Sequence, residues 1–154
     1  VRPEELALSS TSTDDLIQYI PKIVTKGHVL WTHTTSPFID EDIYDKAISL
    51  YSSNLRSGSC DSLMSVTRLQ AFLWNKKGSV NYDRKVEKWP RTQTLDELFE
   101  INSGIFINSI DNYLEFKDRI GVNPYLMNIE GYKSFDIDWP VDFELVEMIF
   151  ANLK

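Results

Sequence analysis

Only one cysteine, Cys60, occurs in the 154 residues, so an intrachain disulfide and any cysteine-cluster metal site are excluded. That scarcity fits a reducing, cytoplasmic compartment. There are two histidines, His28 and His33, and their spacing is not that of a helical metal-binding pair. No apolar run reaches the length of a membrane span, and no signal-peptide pattern is visible. Positive charge is the minority, with 16 Lys and Arg against 23 Asp and Glu and a net charge of −7. This argues against non-specific nucleic-acid or anionic-membrane binding, though a locally basic pocket remains compatible with it. The chain carries no GxSxG, no cysteine–histidine pairing, no P-loop and no GxGxxG, so positioning and electrostatics are expected rather than covalent catalysis. Internal repeats and low-complexity tracts are missing too. The first residues are Val1-Arg2-Pro3-Glu4, with no methionine, which reads as part of a longer gene product.

What is present is one domain's worth of chain, able to bury a real core, with ordinary contents of 42% hydrophobic and 25% charged residues. Ser12 and Thr13 are N-cap candidates ahead of Asp14 and Asp15, and Leu16, Ile20 and Val24 recur at helical spacing, with Pro21 expected to kink or shorten the helix. His28 to Thr32 reads as a buried strand broken by Thr34-Thr35-Ser36-Pro37. Asp40 can cap a helix burying Ile43, Ala47 and Leu50/Tyr51, followed by a serine- and glycine-rich turn from Ser52 to Ser59. Strands are expected at Ser62 to Thr67, Ile105 to Ile110 and Tyr125 to Ile129, and a helix from Asp111 to Ile120. Pro140 opens a last helix with Val141, Leu145, Ile149 and Leu153 along one side. Alternating strands and helices indicate an α/β domain with a largely parallel sheet. Between Leu69 and Trp89 the pattern dissolves into aromatics and lysines, a long excursion of the kind that is functional or an interface.

Three constellations could carry chemistry. In Ser134-Phe135-Asp136-Ile137-Asp138-Trp139-Pro140, residues two apart in an extended segment share a side, so Asp136 and Asp138 would project together. Convergent carboxylates suit magnesium, a hard cation that takes oxygen ligands and keeps water or phosphate as the rest; a strand end with solvated acids is the plainer alternative. At the strand-to-loop junction from Leu30 to Phe38, His33 and several hydroxyls lie where open α/β sheets bind ligands, or else simply cap a turn. Arg91, in Trp89-Pro90-Arg91-Thr92-Gln93, could grip a carboxylate bidentately or could be a surface arginine.

The ordered set resembles the acylneuraminate cytidylyltransferase (CMP-sialic acid synthetase) family. The matching segments are Arg2-Pro3-Glu4-Glu5-Leu6-Ala7, Thr35-Ser36-Pro37, Asp61-Ser62-Leu63-Met64-Ser65-Val66, Pro90-Arg91-Thr92-Gln93, Asn102-Ser103-Gly104-Ile105-Phe106-Ile107 and Ser134-Phe135-Asp136-Ile137-Asp138. The resemblance implies a Rossmann-like, nucleotide-diphospho-sugar-transferase-type three-layer sandwich with a mostly parallel sheet, in a homodimer. Residues 1–154 would form a single domain, with 69–101 as a dimerisation and substrate excursion. The implied activity is transfer of CMP from CTP to the anomeric hydroxyl of a sialic-acid-like 2-keto sugar acid, releasing pyrophosphate. Alternatives are the same chemistry on legionaminate, pseudaminate or a shorter sugar acid, or a non-catalytic oligomerisation or sugar-binding fragment. By this likeness Asp136 and Asp138 would be catalytic and hold Mg²⁺, Arg2 and Thr13 would lie near the nucleotide, and His33, Arg91, Asn102 and Phe106 would bind the sugar acid. His33 stands where the family has glutamine, and Phe106 where tyrosine is usual. Trp139 replaces a small hydroxyl residue, removing a helix cap. The family's opening strand and basic glycine loop, which hold the triphosphate, would lie upstream of Arg2, so the N-terminal βα unit is expected to be missing and the chain inactive alone.

Overall fold

A computed structural model describes residues 3–153. Helix α1 (Thr13–Ile23) begins at Ser12, whose hydroxyl accepts the Asp15 N–H while the Asp15 carboxylate accepts the Ser12 N–H, a reciprocal capping box. Pro21 lies inside α1, which ends two residues later at Ile23. Strand β1 (His28–Thr32) leads to helix α2 (Glu41–Ser57), capped by the Asp40 carboxylate on the Ile43 N–H at 3.2 Å. The turn expected from Ser52 is helix up to Ser57. Tyr51 is buried there, Asn54 Nδ2 donates back to the Leu50 carbonyl, and the stop is Gly58 in the left-handed region at φ 71°.

Strand β2 (Ser62–Leu69) precedes the excursion, which holds a small hairpin of β3 (Trp74–Asn75) and β4 (Gly78–Ser79). Strand β5 (Leu98–Ser109) passes directly into helix α3 (Ile110–Phe116), and β6 (Pro124–Asn128) and helix α4 (Pro140–Asn152) complete the chain. The sheet order is β1-β5-β2-β6. β2 and β6 are parallel, whereas β5 is antiparallel to both β1 and β2. The sheet is therefore mixed rather than largely parallel. Between β2 and β5 the chain holds a small hairpin and a 3-10 turn rather than the crossover helix that usually joins parallel neighbours, and β5 returns antiparallel. The α2 crossover leaves a place between β1 and β2, which β5 fills.

Ala47 and Tyr51 of α2 pack on Leu63, Ile105, Ile107, Met127 and Ile129 in the main core. The last helix departs from its expected one-sided burial. Val146 is buried, while Val141, Leu145 and Leu153 are exposed along with Phe143, Met148 and Phe150. Apolar residues surround α4 on all sides, so no single stripe defines an inner face.

Between Met64↔Phe106 and Val66↔Ile101 the β2–β5 register shifts, one residue of β2 (Ser65) facing four of β5 (Asn102 to Ile105). Side chains fill the ladder's gap. Ser65 Oγ donates to Asn102 Oδ1 at 2.6 Å and accepts the Ile105 N–H at 2.8 Å, and Ser103 takes the left-handed φ of 59°. The irregularity re-aims β5 where the candidate site begins.

Candidate functional site

The Asp136 segment is not a strand. After a 3-10 turn at Gly131–Ser134 the chain runs extended into α4 and is tied to the loop after β1 by the Ile137 N–H on the Thr35 carbonyl at 2.9 Å. Lys133 on that turn pairs with Asp40 at the start of α2. Two anchors, one backbone and one ionic, therefore set the position of the two aspartates.

Asp136 and Asp138 line one cavity of about 300 Å³ together with Asp142, Glu100, Thr67, Asn102 and Ser103. Their carboxylates are differently engaged. Asp136 Oδ1 accepts the Ile137 N–H at 3.1 Å and, at a long 3.5 Å, the buried Ser36 hydroxyl. Asp142 Oδ2 accepts the N–H groups of Asp138 and Trp139, at 3.1 and 2.7 Å. Trp139 offers no side-chain cap, and Asp142, reaching back from the first turn of α4, does that work instead. The Asp138 carboxylate has no hydrogen bond among the described residues. Asp138 is exposed, so its carboxylate is open to solvent at the cavity.

No group of three histidine, cysteine or carboxylate side chains converges on a metal position among the described residues. Of the four carboxylates on the cavity, Asp142 is engaged in capping α4, and the Asp136 and Asp138 pair fits the way magnesium is held by one or two carboxylates plus substrate phosphates. It does not fit an all-protein cage.

A ring cluster lies within electrostatic reach of Asp136. His33 Nε2 accepts from both the Trp31 indole N–H and Arg119 Nη1, each at 3.0 Å. An imidazole nitrogen accepting from two donors carries no proton, so His33 is neutral with its hydrogen on Nδ1. Its pKa is correspondingly lowered from 6.5, by burial first and then by the Arg119 charge, with Asp136 acting in the opposite direction. The Arg119 guanidinium sits 3.8 Å from the ring centre of Phe106 and 5.5 Å from that of Trp31.

Of the residues expected at a site, Asp136, Asp138 and Asn102 meet in the cavity, and His33 and Phe106 meet in the ring cluster. Asn102 is largely committed to the fold, since its Nδ2 donates to Thr67 Oγ1 at 3.2 Å and its Oδ1 receives Ser65. Phe106 is fully buried beneath Arg119. Thr13, the first residue of α1, and Arg91, in the excursion, are exposed and line neither place. Arg2 lies outside the described residues. Asp142 and Arg119 escaped the sequence reading. An acid three residues after the N-cap of a proline-led helix was a usable signal for Asp142, but nothing local marks Arg119, which follows α3 in an irregular link.

No protein-family model matches the chain. The chain is 29% identical, over 157 aligned positions, to the N-acylneuraminate cytidylyltransferase of Escherichia coli O18:K1:H7 (strain RS218 / NMEC). The match covers 94% of this chain and 35% of that protein, so the chain spans about a third of the relative's length.

Proposed function

We propose that this chain carries part of the active site of a cytidylyltransferase, which transfers CMP from CTP to the anomeric hydroxyl of a sialic-acid-like 2-keto sugar acid. The observation that carries the reading is the uncommitted Asp138 carboxylate beside Asp136 in one cavity. The likeness to the curated cytidylyltransferase, at 29% identity along nearly the whole chain, supports it. In the reaction the anomeric oxygen attacks the α-phosphorus, its proton leaves to solvent or a base, and the bond to pyrophosphate breaks.

Asp136 and Asp138 would hold Mg²⁺, which when bound neutralises phosphate charge and stabilises the transferring group. Asp136 is pre-set for this by Ser36 and by its own chain, so little ordering remains when substrate arrives. Asp138 supplies the free acceptor. The Asn102 network fixes the cavity wall, and Arg91 would bring a guanidinium to the acceptor from the excursion. In that excursion Phe72 stacks edge-on with Tyr82 and Trp89, while Trp74 and Trp89 stay largely exposed. An exposed aromatic surface of this kind supports the homodimer contact assigned to residues 69–101.

The test is pyrophosphate release by the complete gene product with CTP, magnesium and a panel of nonulosonates that includes legionaminate and pseudaminate. Asp138→Asn removes the charge at nearly constant volume and is expected to lower turnover roughly a hundred- to a thousandfold. Near-normal turnover at saturating magnesium would falsify the metal role.

A further inference from the structure

Arg119 makes no direct ion pair among the described residues, although Asp118 acts on it at longer range. The two ion pairs among the described residues are Arg68–Glu97 and Lys133–Asp40, and neither involves it. Half-buried between the rings of Phe106 and Trp31, the guanidinium spends one N–H on His33 and keeps the rest of its fork unspent. Within electrostatic reach lies Tyr113, whose buried hydroxyl has no hydrogen-bond partner among the described residues. An unpaired cation and an orphan hydroxyl have the same unmet need, an acceptor. Burial also costs the guanidinium hydration, which an oxyanion would restore.

We propose that Arg119, held over the rings of Phe106 and Trp31 and hydrogen-bonded to His33, is a carboxylate-binding residue for the sugar-acid acceptor. The charge inventory favours a monoanion. His33 is neutral, so Arg119 is the single cation of the ring cluster, while Asp118 acts on Arg119 itself, Asp136 on His33, and the cavity beyond adds Asp138, Asp142 and Glu100. A polyphosphate in these surroundings meets one positive charge and several negative ones, whereas a single carboxylate adds the least negative charge and fits the guanidinium fork. The neutral His33 is a positioning residue. Accepting from Nη1, it turns the fork, and its own Nδ1–H remains as a further donor. Trp31 locks the imidazole from the other side.

The ligand's identity rests on the cytidylyltransferase reading, and the experiment separates the two claims. Calorimetry on the complete gene product would use N-acetylneuraminate, its methyl ester, pyruvate and inorganic phosphate as probes, alongside pyrophosphate-release kinetics. In Arg119→Met, affinity for N-acetylneuraminate and its KM are expected to worsen roughly ten- to a hundredfold, with the KM for CTP unchanged. Arg119→Lys keeps the charge but not the fork and should fall between, which also guards against a fold defect in the methionine variant. The methyl ester should bind wild type no better than it binds Arg119→Met. Equal affinity of wild type and Arg119→Met for the acid overturns the assignment, as does an ester that binds as well as the acid, or phosphate that binds more tightly than either. Should pyruvate bind in an Arg119-dependent way while no nonulosonate supports pyrophosphate release, the anion site stands and the sugar-transfer reading falls. Should Arg119→Met instead release pyrophosphate with normal kinetics, the sugar-transfer reading stands and the anion site falls.

Discussion

The two faces of β5 present opposite solutions to burial. Ile105 and Ile107 point at α2 into an apolar core of Tyr51, Leu63, Met127 and Ile129. Phe106, between them, points the other way, as strand alternation requires, and meets Arg119 with His33 near by. One strand thus separates a dry side that holds the domain together from a side where charge is gathered and left partly unanswered. Stability and chemistry are accordingly expected to separate by face, even between adjacent residues.

The most severe way to probe that separation is Leu63→Ala. This side chain is fully buried on the dry side, and its loss should cost about 2–5 kcal/mol in chemical denaturation. Any protein that stays folded should keep its affinity for the acceptor. A variant with intact stability but altered ligand affinity would erase the distinction between the faces.

Ser65→Ala comes next, because Ser65 belongs to both sides. It removes the acceptor of the Ile105 N–H and the donor to Asn102, leaving buried polar groups unmet at about 1–3 kcal/mol. Here stability and affinity should fall together, and the Ile105 amide should exchange faster with solvent. Unchanged exchange there would mean that the ladder, not the serine, holds the irregularity.

The smallest effect is expected from Asp40→Asn. Lys133 first, then the Ile43 N–H, lower the Asp40 pKa from its ordinary 3.8, while Asp40 raises that of Lys133 above 10.5. The carboxylate's contribution is complete above pH 3.8 and disappears as pH falls through the lower folded value. The ammonium's contribution is complete below pH 10.5 and is lost as pH rises through the higher folded value. Asparagine still caps a helix, so the difference between wild type and variant reports the ion pair. It should be greatest near neutrality, vanish at both extremes in melts taken across pH, and shrink with salt because both groups are well exposed.

Much of the dry side was legible in advance. Asp40 as a cap, Ala47 and Tyr51 as a buried face, and the apolar run from Ile105 could be read because helix caps and hydrophobic spacing are local signals. The direction of β5 was not, since it follows from how an irregular excursion returns, and no short pattern encodes that. Helix α4 misled for a related reason: with apolar residues on every side, spacing alone could not choose among them. At the charged side the aspartate pair was visible as a motif. The Arg119 cluster was not, because Trp31, Phe106 and Arg119 are brought together only when β1, β5 and the link after α3 assemble.

The three extra residues that β5 carries opposite Ser65 have one more consequence. They are pinned rather than free: a side chain at Gly104 would run into Ile39, Ile105 is fully buried, and Ser103 holds a left-handed φ. The lip of the cavity is therefore built from the same packing as the core beneath it, and a change of shape there carries a cost in stability.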